Sequence, residues 1–127
     1  MKTITLIVLL ATLAFAGFAA EEPGKTGMLR HVVALKFKDG ISTDEIKKVE
    51  NAFRDLKKKI PQIAALEWGT NVSPEKHDKG FTHCFVLTFK SEKDRDDYLP
   101  HPDHKAFGKA LGPVLADVFV IDYWAKE

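Results

Sequence analysis

The chain has a single cysteine, Cys84, among its 127 residues. One thiol cannot form an internal disulfide, so the folded part must be held together by the packing of apolar side chains. Cys84 lies in the middle of a strand pattern. We therefore expect it to be a small buried apolar residue rather than a nucleophile.

An excess of charge of one sign is also missing. Apart from Lys2, which lies in the amino-terminal segment described below, 18 basic side chains balance 18 acidic ones. Surfaces that bind nucleic acid or anionic lipid need clustered positive charge. We therefore expect the folded part to have neither nucleic acid nor a membrane surface as a partner.

Long apolar runs are absent beyond residue 20, since no later segment approaches the about 20 apolar residues that a transmembrane helix needs. A shorter run, from Ile4 to Ala16, follows a basic start and precedes small residues and Glu21. This layout predicts a signal peptide over residues 1–20, removed on export, rather than a retained anchor. The mature protein is then expected to be secreted or periplasmic, with residues 21–27 as a flexible leader.

Residues 28–127 are expected to form one domain, and four segments in them have the apolar alternation of a β-strand. The first is LRHVVALKF and the third is FTHCFVLTF, and each has a histidine on its bulkier face. The predicted strands cover residues 29–37, 66–70, 81–89 and 118–124.

Helical patterns lie between these strands. Ser42 and Glu45 have the spacing of a capping box, and apolar residues then recur at helical spacing until Pro61. Two shorter helical segments are predicted, at 91–99 and 102–111. The order βαββαβ indicates an α+β fold of the ferredoxin-like type, with a four-stranded antiparallel sheet and helices on one face.

The predicted strands are apolar on both faces, although helices can cover only one. The second face includes Val32, Ala34, Cys84 and Val86, and the last strand carries apolar pairs on each side, Val118 with Val120 and Phe119 with Ile121. A second copy packed sheet against sheet would cover this surface and close a dimeric α+β barrel. The alternative is a monomer with a mildly apolar sheet face.

Two histidines and a tyrosine lie close together in DDYLPHPDHKAF, residues 96–107. Histidine titrates near neutral pH, so His104 is suited to remove a proton, while Tyr98 stays protonated and can donate a hydrogen bond to a carbonyl or enolate. His101 precedes Pro102 and is expected to support the turn rather than react. The structural alternative is a corner between two helices, with His104 as a cap and Tyr98 in the core.

The strand histidines, His31 and His83, need hydrogen-bond partners if they are buried, and each is a possible partner of the other. A metal site built from them with His101 and His104 lacks an acidic ligand at helical spacing, and a lone HxxH is a weak signal. We therefore expect no metal and no cofactor.

Four segments, HVVALKFKDG, LEWGTNVSPE, KGFTHCFVLTFKSEKDRDDYLPHPDHKAF and VFVIDYW, together resemble the stress-responsive A/B barrel (Dabb) family over residues 28–124. The resemblance implies a dimeric α+β barrel with a pocket between sheet and helices in each subunit. In a plant polyketide cyclase of this family, the position of His104 carries the general base of an aldol condensation and that of Tyr98 carries a phenol that orients the substrate. The remaining matches beside the pocket are His31, His83, Val33 and Phe53.

The plant cyclase acts beside a cytosolic polyketide synthase, whereas this chain is expected to be exported, so the same reaction is not expected. Three functions remain open. The first is a small-molecule pocket for an apolar or aromatic ligand, with cyclase-like or lyase-like acid–base chemistry by His104 and Tyr98. The second is a cofactor-free oxygenase, and the third is a non-catalytic stress or stability protein acting through its assembly. Whether the protein is an enzyme therefore stays open.

Overall fold

The computed structural model describes residues 27–127. The predicted signal peptide, residues 1–20, and nearly all of the predicted leader lie outside these residues. A short 3₁₀ turn, Gly112–Val114, follows the last helix. The elements are β1 (Leu29–Phe37), α1 (Thr43–Lys59), β2 (Ala65–Thr70), β3 (His83–Phe89), α2 (Glu92–Tyr98), α3 (Pro102–Leu111) and β4 (Leu115–Trp124).

The four strands form one antiparallel sheet in the order β2-β3-β1-β4. The predicted ferredoxin-like α+β fold is confirmed, with all helices on one face of the sheet. β1 is central, because Val33 lies opposite Phe85 on one side and Val120 on the other. β4 is therefore an edge strand, next to the strand that carries His31.

The predicted capping box begins α1. The Ser42 hydroxyl accepts a hydrogen bond from the Glu45 backbone at 3.2 Å, and the Glu45 carboxylate accepts one from the Ser42 backbone at 3.1 Å. The helix ends at Lys59 with Ile60 as its cap, one residue before Pro61, which cannot continue the hydrogen-bond ladder. Its buried stripe lies against the sheet and includes Phe53.

The core lies between the helices and the inward faces of β1 and β3. Leu35, Phe85, Leu87 and Phe89 are fully buried there. The helices do not extend over the edge strand β4. On β4, the helix-facing residues Val118 and Val120 stay 45% and 50% exposed, which leaves space between β4 and the α2–α3 corner.

The opposite face of the sheet is uncovered in a single subunit. Phe119, Ile121 and Tyr123 are each about half exposed on this face. The predicted burial of Cys84 is wrong for the subunit, since its side chain is exposed. Alternation along β3 points Cys84 away from the core-facing His83 and Phe85, and desolvation together with the negative charge of Glu67 raises the pKa of its thiol.

No helix within residues 27–127 combines the length and the apolar character needed to cross a bilayer.

Candidate functional site

A cavity of about 220 Å³ fills the space between the α2–α3 corner, α1 and the strands β1 and β4. Five of the six predicted site residues line it, and His83 does not. The lining consists of His31, Val33, Phe53, Tyr98, Leu99, His104, Phe107, Gly108, Leu111, Val118 and Val120.

The α2–α3 corner is held by its own short-range hydrogen bonds. The His101 backbone N–H donates to the Tyr98 carbonyl at 3.1 Å, and the His101 ring accepts from the Asp103 backbone at 3.2 Å as the N-cap of α3. Pro102 occupies the first turn of α3, where its missing N–H costs nothing. The supporting role predicted for His101 thus matches its contacts, and the corner places Tyr98 and His104 together with ring centroids 4.3 Å apart.

His104 has one possible tautomer when it is neutral. Its Nδ1 lies 2.8 Å from the backbone carbonyl of Leu99, and a carbonyl can only accept, so Nδ1 carries the proton. Nε2 is then an unprotonated acceptor in a side chain that lines the cavity. This is the arrangement that a general base requires. The bonded carbonyl belongs to Leu99, the C-cap residue of α2, so His104 caps that helix, and Tyr98 belongs to the buried core, as the structural alternative predicted for both residues.

The Tyr98 phenol is suited to donate a hydrogen bond. The residue is 1% exposed, and burial raises the pKa of its hydroxyl, so the phenol stays protonated. No group within residues 27–127 forms a hydrogen bond with this hydroxyl. A donor at the wall of a cavity without a protein partner is available to a ligand or to water.

His31 is held by a carboxylate that sequence reasoning missed. Its Nδ1 lies 2.7 Å from Oδ1 of Asp122 on β4, and Oδ2 of the same carboxylate accepts from Arg95 of α2 at 2.9 Å. The His31 ring meets the Tyr98 ring edge-on at 5.8 Å. The sequence did contain one sign of this carboxylate. Asp122 is the single charged residue in VFVIDYW, and it lies on the same helix-facing side of the strand as Val120.

His83 lies in a separate polar cluster. It sits opposite Leu35 on β1, whereas His31 sits opposite Leu87, so the two histidines do not pair. Its Nε2 is 2.9 Å from the Glu50 carboxylate of α1, and its Nδ1 is 2.8 Å from the Thr82 hydroxyl. Because both ring nitrogens are occupied and the side chain is only 7% exposed, these contacts support the core role weighed for it.

Phe53 and Val33 form the apolar wall of the cavity. The Phe53 ring stacks on Phe85 with centroids 3.9 Å apart and meets Phe107 at 4.8 Å. Stacked rings in a close-packed core hold this wall in one position. Within the described residues, no three potential metal ligands come together.

The family model of the stress responsive A/B barrel domain, Dabb, matches residues 29–125 of this chain. The chain belongs to the Dabb family.

Curated relatives extend this result. The Dabb chain is 36% identical over 97 residues to the stress-response A/B barrel domain-containing protein HS1 of Arabidopsis thaliana, which covers 76% of this chain and 89% of the relative. It is 30% identical over 99 residues to olivetolic acid cyclase of Cannabis sativa, covering 78% of this chain and 98% of the cyclase. The match to this cyclase thus extends over nearly the whole length of the cyclase.

Two solved structures with a similar fold are those of a lyase and of a dimeric protein. The hydroxynitrile lyase of Passiflora edulis superposes with a TM-score of 0.75 at 27% identity, over 81% of this Dabb chain and 97% of the lyase. A Bacteroides fragilis protein, described as dimeric and ferredoxin-like, superposes with a TM-score of 0.63 at 29% identity, over 77% and 96%. The fold thus occurs in a lyase and in a dimeric protein.

Proposed function

We propose that this Dabb protein is a small-molecule enzyme that uses His104 as general base and Tyr98 as hydrogen-bond donor on an apolar or aromatic carbonyl compound. The observation that carries the proposal is the joint placement, at one cavity, of an imidazole whose Nδ1 is held by a carbonyl and a phenol without a hydrogen-bond partner within residues 27–127. Relatives named as a cyclase and as a lyase support an enzymatic role for this fold.

The proposed step is a proton abstraction next to a carbonyl. Nε2 of His104 takes the proton, the C–H bond breaks, and its electron pair moves to the carbonyl oxygen as an enolate. Tyr98 donates a hydrogen bond to that oxygen and so stabilises the negative charge where it develops. His104 leaves the step as an imidazolium, whose charge is partly balanced by the Leu99 carbonyl. It can then return its proton to the product.

The volume of the cavity limits the size of the ligand. Drug-sized ligands occupy pockets of about 300–1,000 Å³, whereas an apolar cavity of about 150 Å³ in another protein holds one benzene ring. A cavity of about 220 Å³ therefore fits one ring with a short substituent. Leu99 and Val120, on opposite sides, supply apolar contact for it.

Phenylacetone, a single ring with a ketone two carbons away, tests the proposal. The full chain is incubated with it in D₂O, and NMR follows the appearance of deuterium next to the carbonyl. We expect exchange above the buffer rate, reduced about 10²–10⁴-fold by His104→Ala and about 10²-fold or more by Tyr98→Phe. His77→Ala, in a loop away from the cavity, serves as the matched control.

Equal rates in wild type and both variants would refute the acid–base proposal. Oxygen consumption during the same incubation, with no deuterium incorporation, would favour the oxygenase alternative. Saturable binding of phenylacetone without exchange would leave a binding protein and would remove the catalytic part.

We further propose that the protein is a homodimer. The apolar sheet face around Phe119 and Ile121 supports this, because a surface of this kind is costly to leave in water. Sedimentation velocity should give a dimer for wild type and a monomer for Ile121→Lys, with Val72→Lys, an exposed loop residue, as the control. A concentration-independent wild-type monomer would contradict this assembly.

Export is proposed from residues 1–20, whose pattern is that of a signal peptide. Expression of the full chain in its own host should place the protein outside the cytoplasm. Mass spectrometry should then find an amino terminus near residue 20 or 21. An intact amino terminus on cytoplasmic protein would refute export.

A further inference from the structure

Arg95 does not line the cavity, yet it is bonded to the carboxylate that holds one of the cavity's histidines. Its Nη1 donates to Oδ2 of Asp122 at 2.9 Å, and Oδ1 accepts from His31 at 2.7 Å. We propose that Arg95 is a positioning residue that keeps His31 neutral and in one tautomer, with Nε2 free to accept a hydrogen bond from the ligand. This inference rests on the proposed function, because it assigns a second acceptor to the same site.

The tautomer follows from the hydrogen-bond chemistry of the three groups. A guanidinium only donates, and an ionised carboxylate only accepts. His31 must therefore carry its proton on Nδ1, which leaves Nε2 as the nitrogen that a ligand in the cavity can reach. Each oxygen of Asp122 has its own partner, so the carboxylate is held from two sides and cannot turn away from His31.

The charges explain why an arginine is needed. The groups that face His31 are Asp122 from β4 and Tyr98 from α2, with His104 of α3 across the cavity. A lone carboxylate beside a buried imidazole favours the imidazolium form. Arg95 cancels that charge, and the hydrogen bonds it donates to Asp122 and, second, to Asp96 raise the pKa of its own guanidinium. His31 thus faces a carboxylate that is paired with a guanidinium, while the carboxylate of Asp96 contacts the same guanidinium from the exposed side.

The consequence for the cavity is a defined set of hydrogen-bonding groups. His104 and His31 each have Nδ1 occupied, by a carbonyl and by a carboxylate, and each offers Nε2 as an acceptor. Tyr98 supplies one donor whose ring contacts both imidazole rings. A ligand that carries a hydroxyl as well as a carbonyl is expected to use both acceptors.

Nitrogen-15 NMR of the histidine rings in the full chain tests Arg95 directly, without any ligand. At neutral pH, wild-type His31 should show a protonated Nδ1 and an unprotonated Nε2. In Arg95→Gln, the ratio of imidazolium to neutral His31 should rise on the order of three- to tenfold at the same pH, because one nearby positive charge is lost. Arg95→Lys should restore most of the neutral form.

Two controls separate this role from a general effect of the α2 surface. Asp96→Ala removes the other partner of Arg95 but leaves Asp122 bonded, and Arg54→Gln removes an exposed arginine of α1. Neither should change the His31 signals. Identical His31 spectra in wild type and Arg95→Gln, or the same change in a control, would overturn the proposal.

Asp122→Asn provides a second test if Arg95→Gln fails to fold. Arg95 needs an acceptor, so it should hold the new amide oxygen and turn the amide NH₂ toward His31. The His31 proton should then move from Nδ1 to Nε2. An unchanged tautomer would show that Arg95 does not orient the side chain at position 122.

Deuterium exchange into phenylacetone adds a functional readout. Arg95→Gln should shift the pH profile of the exchange rate to higher pH, while Arg95→Lys should keep the wild-type profile. An absence of exchange in wild type would defeat the proposed function, whereas the NMR result would still decide the role of Arg95. An unshifted profile in Arg95→Gln would count against that role.

Discussion

Removal of the Tyr98 hydroxyl should impair function without impairing the fold. In Tyr98→Phe, the ring keeps its contacts with Phe89 at 5.2 Å and His104 at 4.3 Å, so the packing of the corner is retained. What is lost is a hydroxyl that has no hydrogen-bond partner within residues 27–127. The free energy of unfolding should therefore stay the same or increase.

The structure limits the size of this effect. A buried hydroxyl without a partner costs about 1–3 kcal/mol in mutational data. The Tyr98 hydroxyl escapes part of that cost, because a cavity of about 220 Å³ has room for water. We therefore expect Tyr98→Phe to be between zero and about 2 kcal/mol more stable than wild type. In a domain of this size, 1 kcal/mol corresponds to a rise in Tm of about 4–8 °C.

Urea unfolding and thermal melts of both proteins at one concentration measure this difference, since dimerisation would make Tm depend on concentration. Tyr123→Phe is the matched control when both substitutions are made in the Ile121→Lys background, which is expected to be monomeric, because the Tyr123 hydroxyl then lies on an exposed sheet face and its removal should change little. A loss of more than about 1 kcal/mol in Tyr98→Phe would show that the hydroxyl has a structural partner. The proposed availability to a ligand would then be wrong.

Three further predictions concern the fold and the uncovered sheet face. Ser42→Ala removes the capping box of α1 and should lower the unfolding free energy by about 1 kcal/mol, with Ser73→Ala in the exposed loop as the control in the same urea titration. Glu50→Ala leaves Nε2 of the buried His83 without its partner and should cost about 1–3 kcal/mol; a cost near zero would mean that the pair is not formed. Glu67→Gln should speed the alkylation of Cys84 by iodoacetamide at a fixed, mildly alkaline pH, because the negative charge of Glu67 adds to desolvation in disfavouring the thiolate. Mass spectrometry measures this rate in the Ile121→Lys background, which is expected to be monomeric. Equal alkylation rates with and without Glu67→Gln would contradict the effect assigned to the Glu67 charge.

Local patterns were sufficient to predict the elements. The capping box at Ser42, the end of α1 before Pro61 and the separate helices on either side of Pro100 all depend on near neighbours in the chain. The fold class required only the alternation of apolar residues and the order of the elements. The bounds were less accurate, because β3 begins at His83 rather than residue 81 and β4 begins at Leu115 rather than residue 118.

Partners distant in sequence were beyond these patterns. His31 and Asp122 are 91 residues apart, and Arg95 lies 27 residues before Asp122. Their meeting depends on the register of β1 against β4 and on where α2 crosses the sheet, neither of which has a local signature. Cys84 was misjudged for a related reason, since alternation shows which residues share a face but not whether that face is covered.

The phenol and the imidazole proposed to do the chemistry both come from one short peptide, residues 98–104, whereas the sheet and α1 form most of the container around them. Few of the contacts that hold the sheet and α1 together depend on which polar atoms residues 98–104 carry. A few substitutions within residues 98–104 could therefore replace the reactive groups during evolution and leave the rest of the cavity unchanged. Divergence between unlike chemistries, or the loss of chemistry altogether, would then require no remodelling of the scaffold.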